Sequence, residues 1–273
     1  MIPRWVGLAM AGACLALLAL GVLLAPEKLS EGEPARAWEG LLAMPPFGAD
    51  DRGRPLLEVA LQGARVVAVP SVVAGLLVTL LGVFGGLVRC AGSERVEAVV
   101  DAIRELVGAL PRMVVILVVA LIMPLDWRGL GALAVVWALL AAPGAMDEAA
   151  AVAGRLGGAR FVEALRAHGF SRARIYLLHV VGLNLRPVVV RQGAETLMQV
   201  VFLEIAMSYL ALDALQPSFT HSDATRSWAD LLYMGYSSLV LDVPSLHALL
   251  LGLALVGVTA LVSVSLSSAA RAR

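Results

Sequence analysis

Glu204 and Lys28 are the two residues whose chemistry says most about what this chain does. Glu204 lies inside the apolar run Val201–Ala206, and a carboxylate at membrane depth is costly, so it normally faces the protein interior and has a function. Two interpretations stay open: Glu204 lines a solute path, or it locks two helices through a hydrogen bond. Lys28 is the only lysine, and a P-loop that holds ATP phosphates requires a lysine after glycine. Any ATP that this protein uses is therefore bound by another subunit.

The segment from Phe161 to Pro187 is rich in arginine and lies between long apolar segments. Its pattern predicts a short helix over Arg160–His168 with one apolar face. Gly169 suits a left-handed helix stop, because glycine has no Cβ to clash there, and Ser171 suits the N-cap of a second helix. The sequence thus predicts a short helix that lies in water, between two sharp bends, against a membrane.

Residues of this segment resemble the EAA loop of ABC importer permeases, at matching spacings: Glu163-Ala164, Gly169, Ile175 and His179. More narrowly, they resemble the dipeptide, oligopeptide and nickel permease family. In that family the loop forms a coupling helix, which docks in a groove of the ATPase subunit. A second string resembles the family segment that lies just outside the membrane, before the second span: Pro46 to Arg54, followed by Gly63-Ala64-Arg65.

The sequence departs from the family pattern at several positions. Leu165 replaces an alanine, His168 replaces a leucine, and Gly182 stands where the family usually has proline. Asp147 and Ala150 stand where the family usually has arginines. These departures bear on the fit to a particular ATPase and on peptide as the solute, more than on the coupling role.

The resemblance implies roles for two groups of residues. Coupling to the ATPase would rest on Glu163, Ala164, Arg166 and Gly169. An outward-facing loop would hold Asp50, Asp51, Arg52, Gly53 and Arg54. Plainer interpretations stand beside these, since an acid in a first helical turn stabilises the helix dipole, cytoplasmic arginines are commonly solvated, and Asp-Asp-Arg-Gly is an ordinary turn sequence.

Composition indicates a polytopic membrane protein. The 273 residues are 60% hydrophobic and 15% charged, against about half and about a quarter for soluble domains. The formal net charge is zero, so no attraction to nucleic acid is expected. The two cysteines are read as small buried hydrophobes, and the four histidines lack metal-ligand spacing. Six apolar runs are predicted to span the membrane: Trp5–Ala25, Val66–Val88, Leu106–Leu125, Gly129–Met146 (ended by Pro143-Gly144), Leu197–Leu212 and Val243–Leu266. Between them, Arg89–Glu105 is predicted to be a short charged connection and Asp213–Asp230 a polar stretch.

Arginine asymmetry predicts the orientation of these spans. The loop between the fourth and fifth spans has seven arginines against four acids. By the positive-inside rule, this loop and both termini are cytoplasmic, and the Asp50–Arg54 string faces outward. We favour a retained anchor over a cleaved signal peptide for Trp5–Ala25, because its apolar run exceeds a signal core of about 7–15 residues.

We therefore predict an all-α integral membrane protein, with six transmembrane helices arranged as a type I ABC importer permease bundle and a cytoplasmic coupling helix. Residues 1–64 would form an anchor helix and an outward-facing loop. Residues 65–273 would form the permease core, with five transmembrane helices and the coupling loop at about 147–191. The expected function is that of a non-enzymatic permease subunit of an ATP-driven importer for peptides or a related small solute, nickel complexes included. The alternatives are a permease-like scaffold that transports nothing and a stand-alone secondary transporter.

The resemblance also implies the partners and the location. The partners would be ABC ATPase subunits, a second homologous permease, an extracytoplasmic solute-binding protein and the lipid bilayer, with no nucleic acid. The chain itself would bind no cofactor, because ATP and Mg²⁺ would sit in the partner ATPase. The chain would be a multi-pass protein of the bacterial cytoplasmic (inner) membrane.

Overall fold

The computed structural model describes residues 4–91, 94–124, 127, 129–157, 160–171, 174–175, 185–209, 226–240 and 246–271. The predicted all-α class is confirmed for this part of the chain, whose longer elements are all helices. A single 3₁₀ turn at Pro34–Arg36 adds to them. The helices are α1 (Arg4–Leu24), α2 (Leu56–Ala91), α3 (Glu94–Gly108), α4 (Arg112–Ile122), α5 (Leu130–Gly157), α6 (Arg160–Ala167), α7 (Arg186–Tyr209), α8 (Trp228–Val240) and α9 (Leu246–Arg271).

Length and apolarity identify membrane spans in three of these helices, over Leu56–Arg89, Leu130–Arg155 and Leu246–Ser268. A fourth is reached if α3 and α4 count as one broken span. The prediction of six spans is therefore not confirmed by the described residues. A helix that crosses the membrane needs about 20 apolar residues, which each of the three provides.

The predicted third span, Leu106–Leu125, is not one continuous helix. The chain forms α3 and α4 instead, and the two helices meet at an angle of 79°. Pro111 stands at the break, because proline has no N–H to donate and disfavours helical geometry in the residue before it. The charged connection expected before this span is also helical, with Glu94 and Glu97 in the first turn of α3, where acids stabilise the helix dipole.

Pro143-Gly144 was expected to end the fourth span, but it does not end the helix, because α5 continues to Gly157. A proline inside a helix removes one backbone hydrogen bond, and neighbouring structure can offset that loss. The residues that follow are rich in alanine, the best helix former, and Ala149 and Ala153 are buried in a small apolar cluster.

The chain divides into two compact units. Unit 1 comprises Met1–Ser71, Pro124–Ala132 and Leu197–Ser265, and unit 2 comprises Val72–Met123, Leu133–Thr196 and Leu266–Arg273. In unit 1, α1 and α2 approach closely where Gly21 meets Ala64, and α8 and α9 approach where Gly235 meets Leu249. Small residues at such contacts let helix backbones pack closely, as is common between membrane helices.

Unit 2 is built around the contact between α2 and α5. Gly82, Gly85 and Gly86 of α2 lie directly against residues of α5, and a Cβ at any of them would meet Ala145, Met146 or Ala149. The glycines lie on one side of α2 because residues three and four apart share a helix face. This packing brings the end of α2 beside the carboxyl-terminal half of α5.

Helix α8 was not predicted, because the stretch Asp213–Asp230 was read as a polar loop. Residues 213–225 lie outside the described part, but Trp228 already begins the helix. The backbone N–H of Ser227 donates to the Asp230 carboxylate at 2.7 Å, which is one half of a capping box. The sequence does contain a helix-start pattern here: a serine is followed three residues later by an acid, just before the apolar run at Leu231.

Candidate functional site

Helix α6 is short and ends at a glycine, as the sequence predicted. It covers Arg160–Ala167, and the backbone N–H of Phe170 donates to the carbonyl of Leu165 at 3.1 Å. That bond is the long one of a Schellman motif, which closes a helix through a left-handed residue. Gly169 is that residue, with φ +82°.

The bend after α6 is held by local contacts. The Ser171 hydroxyl accepts the backbone N–H of Arg174 at 3.3 Å, which confirms the predicted N-cap. The Arg174 guanidinium lies 4.9 Å from the centre of the Phe170 ring, within the range of a cation–π contact. The bend therefore has a defined shape, although the predicted helix from residue 176 to residue 184 lies outside the described residues.

The predicted coupling residues share one exposed element. Glu163 in the first turn of α6, Ala164 beside it and Gly169 after it are all exposed. Arg166 lies in the same helix, but its side chain is outside the described part. His179 and Gly182 are outside it as well. The exposed surface of α6 is thus available to a protein partner, while nothing in its own unit covers Glu163.

Two adjacent acids of α5 pair with side chains of other helices in unit 2. Asp147 Oδ1 lies 2.9 Å from Arg89 Nη1, and its Oδ2 lies 3.1 Å from Arg104 Nη1. Glu148 Oε1 lies 3.0 Å from Arg191 Nη1 of α7. The other oxygen of Glu148 accepts the side-chain amide of Gln192 at 2.7 Å.

Asp147 is therefore a paired residue, although the sequence presented it only as a departure from the family pattern. A second acid, Asp101 of α3, completes the group: its Oδ1 lies 2.7 Å from Arg89 Nε and 3.3 Å from Arg104 Nε. Two arginines and two aspartates thus form a cluster with no net charge. We name Arg89, Asp101, Arg104 and Asp147 the charge cluster.

The predicted outward loop is a tightly bonded turn, and its centre is Asp50. Asp50 is fully buried, and its Oδ1 accepts the backbone N–H groups of Arg52 and Arg54 at 2.8 Å each. The Arg54 Nε donates to Asp50 Oδ2, also at 2.8 Å. Gly53 adopts φ +77° and packs against the backbone of Glu33. The loop is therefore more than an ordinary Asp/Gly turn.

Arg226 and Trp228 join this loop from a distant part of the chain, and the sequence did not single them out. Arg226 Nη1 lies 2.8 Å from Asp51 Oδ1 and 3.8 Å from Asp50 Oδ2. Trp228 donates its indole N–H to the carbonyl of Ala60 at 2.9 Å. The predicted outer loops before the second span and before the last span thus meet within unit 1.

Glu204 is fully buried, as its position in an apolar run predicted. Neither carboxylate oxygen meets the distance and angle criteria of a hydrogen bond with any described residue. The described groups that face it are the Ser227 side chain, the Ala229 backbone amide and the Asp230 carboxylate, and the Ser227 hydroxyl likewise has no hydrogen-bond partner among the described residues. One interpretation of Glu204 requires a hydrogen bond that locks two helices, and no described residue supplies that bond.

A metal centre finds no support in the described part of the chain, where no three His, Cys, Asp or Glu side chains are grouped to hold an ion. His247, which was not assigned a role, places Nε2 3.2 Å from the carbonyl oxygen of Ala49. It therefore helps to hold the outward loop. His221 lies outside the described residues.

Comparison with known proteins adds to this geometry. No protein-family model matches the sequence, and no curated protein matches it. Among solved structures, the chain is similar to a chain of the MetNI methionine ABC transporter in inward-facing conformations, with a TM-score of 0.55. The match covers 80% of this chain and 97% of that chain, at 17% identity. At this identity the likeness concerns the fold alone.

Proposed function

We propose that this chain is the membrane permease subunit of an ATP-driven ABC importer, and that it forms the solute path and couples it to a separate ATPase. The observation that carries the proposal is α6, a short exposed helix closed by Gly169, in a chain with the fold of an ABC transporter membrane subunit. A short helix fixed at a bend transmits force as a rigid body, because its end cannot unwind freely.

The coupling step uses contacts on both sides of α6. ATP and Mg²⁺ would bind in the partner ATPase pair, and closure of that pair would displace α6 through Glu163 and Ala164. Glu148 joins α5 to Arg191 and Gln192 of α7, so the helices before and after the coupling segment move together. Movement of both helices would open the path alternately to each side of the membrane.

The solute would be a peptide or a related small solute, nickel complexes included, on the strength of the sequence resemblance. A second homologous permease would complete the path, and an extracytoplasmic solute-binding protein would deliver the solute to the loop around Asp50. The arginine asymmetry supports a bacterial inner-membrane location with both termini cytoplasmic. The structured contact between Asp51 and Arg226 suits a docking surface, because docking needs a loop of fixed shape.

Copurification from a bacterial host that carries the natural partners tests this proposal. We expect the tagged full-length chain to recover a soluble nucleotide-binding protein with ATPase activity. Gly169→Val should lower that recovery about 5- to 30-fold, because a Cβ at a left-handed residue costs about 1–2 kcal/mol. Gly154→Val is the matched control: Gly154 has ordinary helical geometry in α5 and open space where a Cβ would stand.

Three results would contradict the proposal in different ways. If the wild-type chain recovers no ATPase, the coupling role fails. Solute movement in vesicles without a partner or ATP would identify a secondary transporter. An assembled complex that hydrolyses ATP but moves no solute would identify a scaffold. Equal recovery with Gly169→Val and Gly154→Val would remove Gly169 from the coupling site.

A further inference from the structure

We propose that α3 lies in the plane of the membrane surface, with Val99, Ile103 and Leu106 among the lipid acyl chains close to the headgroups. The sequence predicted only a short charged connection at this place, and the inference goes beyond the proposed function. It depends on membrane insertion alone and needs neither an ATPase nor a transported solute.

The first argument is the distribution of side chains on α3. Its apolar residues recur at intervals of three and four, namely Val96, Val99, Ile103, Leu106 and, just beyond the helix, Leu110, so they form one stripe. The stripe is not packed against the protein, since Val99, Ile103 and Leu106 are 59%, 56% and 69% exposed. A soluble surface helix has the opposite arrangement, with its apolar stripe towards the core.

The second argument is what does pack against the protein. Asp101 and Arg104 of α3 belong to the charge cluster and contact Arg89 of α2, and Arg104 also contacts Asp147 of α5. The helix is therefore attached to its unit through charged groups, and its apolar stripe lies on the side away from them. On a helical wheel with 3.6 residues per turn, Ala98 and Glu105 lie about 110–130° from the centre of the stripe, on the flank between the stripe and the charged side, and are exposed. The charged side thus faces protein, the apolar stripe suits lipid, and the exposed flank suits water.

The third argument is the angle between α3 and α4. The 15 residues of α3 form a helix about 22 Å long, and a bend of 79° lets it advance only about 4 Å along the axis of α4. If α4 enters the membrane, α3 therefore runs nearly parallel to the surface. Helix α4 exposes Val114, Val118 and Leu121, so it also has apolar side chains that are available to lipid.

Charge decides which kind of membrane contact is involved. The exposed polar side of α3 has Glu94, Glu97 and Glu105 but only Arg95 as an exposed cation, so anionic headgroups offer it no attraction. Apolar burial must therefore hold the helix, as in interfacial amphipathic helices generally. The charge cluster that holds α3 includes Asp147, which lies about three turns before the end of α5. The membrane surface on which α3 lies would therefore be the one on the side of α6.

Site-directed labelling of the full-length chain in zwitterionic bilayers tests the inference. After Cys14 and Cys90 are replaced by serine, single cysteines at Val99 and Ile103 take a fluorescent label, and cysteines at Ala98 and Glu105 serve as matched controls. We expect lipid-borne quenchers near the headgroups to act at least threefold more strongly at the first two positions than at the controls. A water-soluble quencher should show the reverse order, and anionic lipid should change neither result.

Three outcomes would overturn the inference. Equal access of the water-soluble quencher to all four labels would place α3 in water. Protection of Val99 and Ile103 from both quenchers would mean that a protein partner covers the stripe. Carbene labelling of the unmodified chain from lipid-borne diazirines makes the test independent of the folding of the variants. We expect carbene insertion into Val99, Ile103 and Leu106 and none into Glu105. The absence of carbene insertion anywhere on α3 would also overturn it.

Discussion

Asp147 of α5 pairs with Arg89 at the end of α2, with 2.9 Å between Oδ1 and Nη1. Its other oxygen accepts a hydrogen bond from Arg104 of α3 at 3.1 Å. One carboxylate thus joins three helices of unit 2 close to the segment that leads to α6. The family resembled by the sequence usually has arginine here, and the partners explain why this chain tolerates an acid at the position.

Asp147→Arg is expected to lower the free energy of unfolding by about 1–2 kcal/mol, since it removes two partly exposed ion pairs and adds a third cation to the charge cluster. Unfolding of the full-length chain in lipid nanodiscs measures the change. Glu97→Arg is the matched control, because it makes the same charge change on α3 at a residue with no ion pair among the described residues. The double variant R104D/D147R should recover at least half of the loss. Equal effects of Asp147→Arg and Glu97→Arg would contradict the role of the cluster.

Local features of the site were predictable from the sequence, and contacts between distant residues were not. Gly169 could be assigned to a left-handed stop because a glycine after a short amphipathic helix is a local signal. The partners of Asp147 stand 43 and 58 positions away in the sequence, and those of Arg226 about 175 positions away. A single sequence carries no information on which of many arginines meets which acid.

Average hydropathy did not reveal helix α3. The stretch containing α3 was read as a connection because its mean hydropathy is low, yet its apolar residues fall on one side of a helix. A window average removes that periodicity, whereas spacing at three and four residues preserves it. Pro143, by contrast, suggested an end that the helix does not have. A proline ends a helix only where the surrounding packing does not hold the chain.

Gly63→Ala is expected to destabilise unit 1 by about 1–3 kcal/mol, as overpacking commonly does. A Cβ at Gly63 would meet the indole ring and the backbone nitrogen of Trp228, and that ring is fixed by its hydrogen bond to Ala60. Thermal unfolding in detergent is the measurement. Gly131→Ala is the control, because open space surrounds that position, and alanine there should be neutral or slightly stabilising. Unchanged unfolding of Gly63→Ala would mean that α8 does not pack on α2 in this way.

Asp50→Asn is expected to lower the free energy of unfolding by about 3 kcal/mol, because it removes the negative charge that the buried Arg54 guanidinium contacts at 2.8 Å. Asp50 and Arg54 are 0% and 2% exposed, so water cannot replace the lost partner. Asp51→Asn removes a charge at the neighbouring position, but Asp51 is 37% exposed, and its loss should cost less than about 1 kcal/mol. Chemical denaturation of the two variants side by side gives the comparison. A larger loss with Asp51→Asn would place the anchor of this loop on Arg226 rather than on Arg54.

Glu204→Gln separates the two interpretations of the buried acid. Glutamine keeps the shape of the side chain and removes its charge, and no hydrogen bond of the carboxylate is lost. The free energy of unfolding should therefore stay equal or rise by about 1 kcal/mol, because an unpaired buried charge is itself costly. Uptake of solute by the assembled importer should fall, because a charged group that lines the path acts on the solute and not on stability.

Two further variants make the result at Glu204 decisive. Glu204→Ala should cost roughly 2 kcal/mol through the cavity that it leaves. Met207→Leu is the control, at a buried position one turn along α7. Because it conserves volume, it should change the free energy of unfolding by less than about 1 kcal/mol and leave uptake unchanged. A loss of stability with Glu204→Gln that equals the loss with Glu204→Ala would show that the carboxylate locks helices. Full stability together with full uptake would exclude both roles, because the charge would then serve neither the fold nor the path.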